Sequence, residues 1–442
     1  MMSVDWFLAL GLLLSTASQL RPGSSPVGLG EVFLVAWSLP VLWRQIASGA
    51  VMTPALSVLL RFWSAFVFAE SLGYATGLAL GQPTDPQWFL HDIMAYPLVA
   101  VVSCLMGLQT ATTLRRVAWL LALSGTVSLA GLLAAAGGLV RIASMDPWYW
   151  DRLRGWSANP NQLALLCAAL ALVSLHLADT SAGRRERVGA VLCGILPVVV
   201  GRMTGSDTFT LMILAAGLVF LGLKLQVWLR SPARALEPRV ALALLFFIAI
   251  PVFGVSLLPA VLSGPADTGG LAMGLMKNGG KEAHEEADLR LALWQQAVTR
   301  GFESGMLGLG PGPHLAIPPS LINARATEAG QPGNITHPEN NGAPNFEAHN
   351  TILDLFVQGG LLAAASFLWL LGTAILYGWR GGLAGLATLL GCLAFFGMTN
   401  LIIRQPLFWF AIVSCLVAGA PRTSPSTPAA AHRPCGKRTA VI

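Results

Sequence analysis

The part of this sequence best suited to chemistry is the stretch from Glu347 to Asp354, where a long polar segment meets an apolar run. Within it, His349 is followed directly by Asn350. A histidine at the mouth of a membrane helix can meet both water and a substrate that is anchored in lipid. Because its usual pKa lies near neutrality, it can serve as a general base, a role that typically contributes about 10²- to 10⁴-fold to a rate. His349 is therefore the candidate catalytic base.

Arginines are the second group with chemical potential, because a guanidinium fork matches the oxygen geometry of phosphate. Several lie in polar stretches that the charge pattern places on the same side of a membrane as His349. These stretches contribute Arg152, Arg154, Asn159, Asn161, Arg202, Arg290 and Trp294. Fixed cations can stabilise the charge that develops on a leaving phosphate group. We find no Asp-x-Asp motif or carboxylate cluster that indicates a divalent-ion site, so we expect no metal and no cofactor.

The elements that must position these residues are membrane helices. Of the 442 residues, 55% are hydrophobic and 11% are charged, which is too apolar for an average soluble domain. Apolar runs long enough to cross a bilayer recur along the chain, and they predict an all-α integral membrane protein with about twelve transmembrane helices. The predicted spans are residues 4–20, 27–43, 55–79, 88–109, 117–139, 159–178, 187–201, 207–229, 239–262, 351–378, 382–402 and 405–420. The first should be a retained helix, because no small-residue cleavage site follows it.

The positive charges set the expected orientation. Lysines and arginines concentrate in alternate connections, beginning with Arg44, and in the C-terminal tail. By the positive-inside rule that side is cytoplasmic and carries both termini. The candidate residues then lie on the opposite, translocated side of the membrane. Arginines kept there run against the bias that sets topology, and an anionic substrate would account for them.

The same pattern divides the chain into four parts. They are an N-terminal bundle of about nine spans (1–262), a periplasmic loop region (263–350), C-terminal transmembrane helices (351–420) and a disordered cytoplasmic tail (421–442). Within the loop region, residues 281–306 carry one apolar face, which predicts an amphipathic helix on the membrane surface or over the bundle. Gly308 to Gly312 should end that helix, and residues 313–346 should form a mobile loop over the site.

Charged and titratable residues elsewhere have plainer expected roles. Glu31, Arg61 and Glu70 lie in or beside apolar runs, so we expect Arg61 to pair with one of the two glutamates. We expect His314 and His337 to be solvated loop residues. Five of the six cysteines fall in apolar runs, and no pair has the spacing of a metal site or a disulfide framework.

Four motifs occur in an order and spacing that resemble the O-antigen ligase and polymerase superfamily. They are Asn159-Pro160-Asn161, Arg290-x-x-x-Trp294, Gly308-x-Gly310-Pro311-Gly312 and His349-Asn350-x-x-Leu353 entering a Gly-Gly-Leu helix. The superfamily includes lipopolysaccharide O-antigen ligases, Wzy-type polysaccharide polymerases and some protein O-oligosaccharyltransferases. The resemblance covers about residues 150 to 365. It implies a metal-independent, GT-C-like glycosyltransferase that takes a glycan from an undecaprenyl pyrophosphate carrier on the periplasmic side of a bacterial inner membrane.

The resemblance also implies roles for single residues. His349 matches the essential histidine of the ligases, and Arg290 matches an essential arginine of their periplasmic loop. A second family arginine usually follows a serine, but here Ser206 is followed by Asp207. Arg202 is the candidate substitute, with Arg152 and Arg154 as further pyrophosphate-binding residues. Asn350, Asn159, Asn161 and Trp294 would support them.

Each assignment has a structural alternative. His349 could cap the tenth span or bind a loop carbonyl, and Arg290 could pair with Glu286 one turn earlier, a contact worth about 0.3 to 0.5 kcal/mol. The remaining arginines could lie at the membrane interface with their charged ends in water. Asn159 and Asn161 could cap a helix that begins at Pro160.

These observations lead to one preferred function and three alternatives. We expect transfer of a glycan from undecaprenyl pyrophosphate to a hydroxyl of lipid A-core, with polymerisation of O-antigen or exopolysaccharide as the nearest alternative. A secondary transporter would also have about twelve spans, but such carriers often show matching repeats, and we find none. An inactive member that scaffolds polysaccharide assembly is the last alternative. No nucleic-acid partner is expected.

Overall fold

The computed structural model describes residues 4–21, 27–49, 51–82, 84, 86–141, 145–149, 152–229, 289–316 and 346–420. Helices make up most of these residues, and one antiparallel hairpin pairs β1 (Trp148–Tyr149) with β2 (Arg152–Leu153). The predicted ninth span (239–262), residues 281–288 of the predicted amphipathic helix, and the tail lie outside the described residues.

The helices follow the predicted spans closely. The first eight are α1 (Asp5–Leu14), α2 (Leu29–Ser48), α3 (Pro54–Ala79), α4 (Pro86–Gly107), α5 (Ala111–Ala136), α6 (Pro160–Thr180), α7 (Arg184–Met203) and α8 (Asp207–Leu229). Helix α9 is described over residues 289–303, within the predicted amphipathic segment. The last three are α10 (Thr351–Arg380), α11 (Ala384–Phe396) and α12 (Pro406–Ala418).

Six of the described helices are long and apolar enough to cross a membrane: α3, α4, α5, α6, α8 and α10. Helices α1, α11 and α12 are also apolar but have only 10 to 13 residues. A helix rises 1.5 Å per residue, so each is shorter than a bilayer core of about 30 Å. The protein is therefore a multi-pass, all-α membrane protein. The figure of twelve spans, the orientation and the four-part division stay predictions.

Helix α6 is the centre of the bundle. It packs against α5, α7, α8 and α11, and almost every residue from Leu163 to Leu177 is buried. Asn159 begins the helix, because its side chain accepts a hydrogen bond from the Gln162 amide at 3.0 Å, and Pro160 occupies the first helical position. The capping alternative therefore fits Asn159.

Several connections between helices meet at one end of the bundle, which we call the loop face. It comprises residues 15–21, 145–149, 152–159, 204–206, 346–351 and 397–405. The Gln19 amide donates to the Gly155 carbonyl at 2.8 Å, and the Thr351 hydroxyl donates to the Asn400 carbonyl at 2.7 Å. These hydrogen bonds join segments that are distant in sequence, so they fix the connections of the loop face relative to one another.

The expected pairing of Arg61 is wrong. Glu31 pairs instead with Arg21, at 3.4 Å between Oε1 and Nη2, while Arg61 is exposed on the outside of α3. Glu70 is buried, and neither of its carboxyl oxygens has a hydrogen-bond partner among the described residues. Arg61 and Glu70 are nine positions apart in α3, which places them on opposite faces of the helix.

Candidate active site

The segment before α10 holds His349 in a defined and unusual conformation. His349 is exposed, and its φ of 50° lies in the left-handed region that non-glycine residues rarely adopt. Its two neighbours are fixed by Asp354: the Ala348 amide donates to Oδ1 at 2.6 Å, and the Asn350 amide donates to Oδ2 at 3.2 Å. Residues held in sparsely populated backbone regions cost on the order of 1 to 3 kcal/mol and cluster at functional sites. The surrounding contacts therefore stabilise one presentation of the imidazole.

Asn350 is the N-cap of α10. Its side-chain oxygen accepts hydrogen bonds from the amides of Ile352 at 3.1 Å and Leu353 at 3.3 Å. This satisfies two of the amides that have no partner inside the helix. Asn350 therefore fixes where the helix that follows His349 begins.

Helix α9 packs directly against the His349 segment. The Trp294 indole N–H donates to the Ala348 carbonyl at 3.0 Å, and Leu293 and Ala297 form one buried cluster with Ala348. Arg290 lies one turn before Trp294 and is half-buried, and residues four apart share a helix face. The structure thus brings together Trp294, the helix that carries Arg290, and the His349 segment.

Helix α10 is interrupted near its first third, and a glycine-rich segment completes its hydrogen bonding. Gly359 and Gly360 are not helical, with φ of −112° and 66°. The amides of Leu309 and Gly310 donate to the carbonyls of Val357 and Gln358, both at 2.8 Å, and the Leu361 amide donates to the Met306 carbonyl at 3.0 Å. Backbone without helical bonds is tolerated within a membrane protein where other protein groups replace them.

Glycines on α3 make room for this segment. A Cβ added at Gly73 would overlap the carbonyl oxygen of Gln358, and one added at Gly77 would overlap the carbonyl oxygen of Leu309. Both glycines are on the same face of α3, because they are four residues apart. The segment Met306–Gly312 is therefore packed between α3 and α10.

His314 is buried beside this segment, so the expectation that it is solvated is wrong. Its Nε2 lies 2.7 Å from the Gly310 carbonyl, a distance at which the ring N–H donates to the oxygen. Burial lowers the pKa of His314, and the nearby Arg300 lowers it further, although the hydrogen bond to Gly310 acts in the opposite direction. His337 lies outside the described residues.

A buried ion group joins the His349 segment to α4. Arg404 donates through Nη1 to Oε1 of Glu347 at 2.6 Å and through Nη2 to Oδ2 of Asp92 at 2.7 Å. Its side chain is 10% exposed and that of Asp92 is fully buried, and the guanidinium lies 5.9 Å from the centre of the Tyr96 ring. Glu347 is two positions before His349, so the ion group ends beside the candidate base.

An apolar cleft lies on the other side of Asp92, between α3 and α4. It has a volume of about 550 Å³. Its lining includes Trp63, Phe66, Tyr74, Phe89, Tyr96 and Pro311, together with the carboxyl-bearing side chains of Glu70 and Asp92. Val67 and Ile93 are exposed at its rim on neighbouring helices. The cleft can therefore take a chain-like apolar group.

The other predicted arginines form a second group at the hairpin. Arg152 donates through Nε to the Thr204 carbonyl at 2.9 Å, and Arg202 contacts the Thr210 hydroxyl. Arg154 pairs with Asp146 at 2.8 Å. The structure thus places Arg152, which belongs to β2, and Arg202 around the α7–α8 turn, and Arg154 directly after β2. Asn161 lies in the first turn of α6 and is half-buried.

Sequence reasoning assigned no role to Arg404, Asp92 or Glu347. A usable signal existed for two of them. Asp92 interrupts an apolar run, and Arg404 stands between Leu401-Ile402-Ile403 and Pro406. Charges in such positions are expensive and mark internal pairs or functional sites. Hydropathy cannot tell which opposite charge each one meets, because the partners lie on three separate segments.

Comparison with known proteins gives a match within this part of the chain. Residues 191–368 match the sequence model of a protein family described as O-antigen ligase. The matched range includes α9, the Met306–Gly312 segment, the His349 segment and the break in α10. No curated protein matches the chain. Within the described ranges, no three His, Cys, Asp or Glu side chains are grouped so as to hold a metal ion.

Proposed function

Since this membrane protein carries an O-antigen ligase family domain at residues 191–368, we propose that it transfers a glycan from undecaprenyl pyrophosphate to an acceptor hydroxyl on the periplasmic side of a bacterial inner membrane. The observation that carries the proposal is the conformation of the His349 segment. An exposed histidine with φ of 50° is held there by Asp354, Trp294 and the Asn350 cap.

In the proposed reaction, an imidazole nitrogen of His349 accepts the proton of the acceptor hydroxyl. The acceptor oxygen forms a bond to the anomeric carbon of the glycan, and the bond from that carbon to the pyrophosphate oxygen breaks. The electron pair leaves with the pyrophosphate, which remains attached to the lipid. Arg290 would stabilise the charge that develops there, since fixed cations act in this way on leaving oxyanions. Neither role requires a metal or cofactor.

The cleft between α3 and α4 supports a lipid-linked donor. Its walls are largely aromatic and aliphatic, and each buried CH₂ group contributes about 0.8 kcal/mol to binding. The Arg404 ion group stands between the cleft and the His349 segment. A carrier whose chain occupies the cleft would thus have its pyrophosphate close to the loop face.

The arginines at the hairpin take a secondary place in this proposal. Arg152 and Arg154 already hydrogen bond to protein groups, and Arg202 contacts Thr210. We propose Arg202 and Arg152 as further pyrophosphate-binding residues that would change partners on binding. Arg154 would act with them from the hairpin.

The experiment compares surface glycans and extracted lipid-linked glycans from a deletion strain that carries the wild-type chain, His349→Ala or His337→Ala. We expect His349→Ala to leave bare lipid A-core while long lipid-linked polymer accumulates. His337→Ala, a histidine of the same long segment, is the control and should match the wild type.

Other outcomes assign other functions. Accumulation of single repeat units would identify a polymerase with His349 as its base. Normal surface glycan with His349→Ala, at equal protein levels, would overturn the catalytic assignment and favour the scaffold or transporter alternative.

A further inference from the structure

Arg404 connects three parts of the molecule that are far apart in sequence. It lies between α11 and α12, its partner Asp92 lies in α4, and its partner Glu347 lies in the segment before α10. The two carboxylates accept from different Nη atoms, at 2.6 and 2.7 Å. Such short charge-assisted hydrogen bonds are about twice as strong as neutral ones. The guanidinium thus bridges the wall of the cleft to the candidate base.

The geometry needs arginine in particular. A planar guanidinium can donate to two carboxylates in fixed directions, whereas a lysine ammonium is a compact charge on a flexible stem. A single buried ion pair is weak support for stability, because removing two charges from water offsets much of their attraction. The group also includes His91, whose Nδ1 lies 3.2 Å from Oδ1 of Asp92, and the carboxyl of Glu70 lines the same cleft. A role in positioning accounts for such a group better than a role in stability does.

Other contacts also hold the His349 segment, including two backbone hydrogen bonds that Phe346 exchanges with Leu315, at 2.9 and 3.1 Å. Asp354 and Asn350 belong to α10, which the segment precedes directly. Trp294 joins the segment to α9. The bond from Arg404 to Glu347 extends instead across the loop face to Asp92, a residue that lines the cleft.

We propose that Arg404 is a positioning residue that sets the distance between His349 and the α3–α4 cleft by bridging Glu347 to Asp92. This inference rests on the proposed function, since it needs His349 to act on a donor held in the cleft. Arg404 itself touches no reacting atom. It acts through Glu347, which is two residues from the base.

The test uses purified full-length protein and lipid-linked glycan extracted from a strain that lacks it, and measures kcat and KM separately. The central variant is Asp92→Asn with Arg404→Gln, because removing both charges together leaves no unpaired charge at Asp92. We expect kcat to fall about 100-fold, since a misplacement of about 1 Å can cost that much. KM for the donor should stay within about twofold, because the apolar walls of the cleft remain and binding shared by ground and transition states is preserved.

A second variant does not depend on tolerance at the buried positions. The Glu347 side chain is 19% exposed, and Glu347→Gln keeps its shape while weakening the bond to Arg404. We expect kcat to fall about 10-fold, partway toward the loss expected for displacement of the base. Adding Glu347→Gln to the double variant should cause no further loss of kcat, because the effects of substitutions that break one shared contact are not additive.

Controls separate this inference from folding and from the proposed function. Arg116→Gln breaks the 2.8 Å pair of Arg116 with Asp5 on two other helices and should leave kcat and KM unchanged. Folded Asp92→Asn/Arg404→Gln and Glu347→Gln proteins with wild-type kcat would overturn the positioning role, as would a raised KM at constant kcat. His349→Ala is assayed alongside: if it is inactive while those variants are normal, only the inference fails. If His349→Ala is active, the proposed catalytic base fails.

Discussion

Helices α6 and α10 begin in the same way, but only α6 is continuous. Each begins at an asparagine whose side chain caps the first turn, Asn159 in one case and Asn350 in the other. Both are apolar enough to cross a membrane. Yet α6 runs without a break through the centre of the bundle, whereas α10 is interrupted at Gly359 and Gly360.

The difference shows where a membrane bundle can build a site. An intact helix satisfies its own backbone and offers only side chains. At the interruption in α10, three backbone hydrogen bonds join α10 to the Met306–Gly312 segment, so a glycine-rich, non-helical segment is fixed against a membrane helix. The candidate base and the buried ion group lie beside the start of α10, and the cleft is lined by α3, which packs against α10, and by α4, while α6 contributes packing.

The largest expected effect separates the histidines associated with these two helices. His349→Ala should lower kcat by about 10²- to 10⁴-fold, the usual contribution of a general base, with little change in the free energy of unfolding, because the ring is exposed. His176 is buried within α6, so His176→Ala should cost about 1 to 3 kcal/mol of stability and leave kcat per folded molecule unchanged. Kinetics and denaturant unfolding of purified protein in detergent measure both. Equal loss of kcat in the two variants would remove the contrast.

The next effect concerns the interruption itself. Gly360 has φ of 66°, and a Cβ there would overlap the Met306 carbonyl oxygen. Gly360→Ala should therefore destabilise the protein by about 1 to 3 kcal/mol from backbone strain, with the overlap adding to this. Gly372, in the intact part of the same helix, has open space around it, and Gly372→Ala should stabilise by up to about 1 kcal/mol. Thermal unfolding of both variants checks the signs, and a neutral Gly360→Ala would mean that the break needs no glycine.

Removing either N-cap should lower stability by the same amount, but only one of the two substitutions should lower activity. Asn159→Ala and Asn350→Ala should each cost about 1 kcal/mol, the typical value of an N-cap. Asn350→Ala should also lower kcat, because loss of the cap loosens the start of α10 directly beside His349. Asn159→Ala should leave kcat unchanged. Parallel unfolding and kinetic measurements would contradict this if both variants kept wild-type kcat.

The smallest effect depends on pH. Burial lowers the pKa of His314 in the folded protein. Its unfolded form takes up a proton below about pH 6.5, whereas the folded form does so only at lower pH. Stability should therefore be constant above that value and fall with acidification, by at most about 1.4 kcal/mol per pH unit.

His314→Gln is the matched variant for this prediction, because its amide can still donate to the Gly310 carbonyl but does not titrate. Unfolding midpoints of the wild type and the variant between pH 7.5 and pH 5 should diverge below pH 6.5. Parallel curves would show that His314 does not carry the pH dependence.

Sequence reasoning found the helices because hydropathy and proline or glycine boundaries are local signals. It placed the start of α10 beside His349 and predicted α9 around Arg290 and Trp294, and the described residues agree. It treated Gly308 to Gly312 as a stop signal, since nothing local reveals that the segment returns to complete α10. The partners of Arg404 and Glu31 were also beyond its reach, because each contact depends on how separate segments fold together.

The interruption in α10 also has a consequence for how the chain is assembled during synthesis. The carbonyls of Val357 and Gln358 find their partners only when Leu309 and Gly310 are in place, and those two residues pack closely against Gly73 and Gly77 of α3. A polypeptide entering a membrane in order presents α3 first, then the glycine segment, then α10. The interrupted helix is therefore synthesised after both elements that it packs against. The partners of its free carbonyls already exist when α10 enters the membrane.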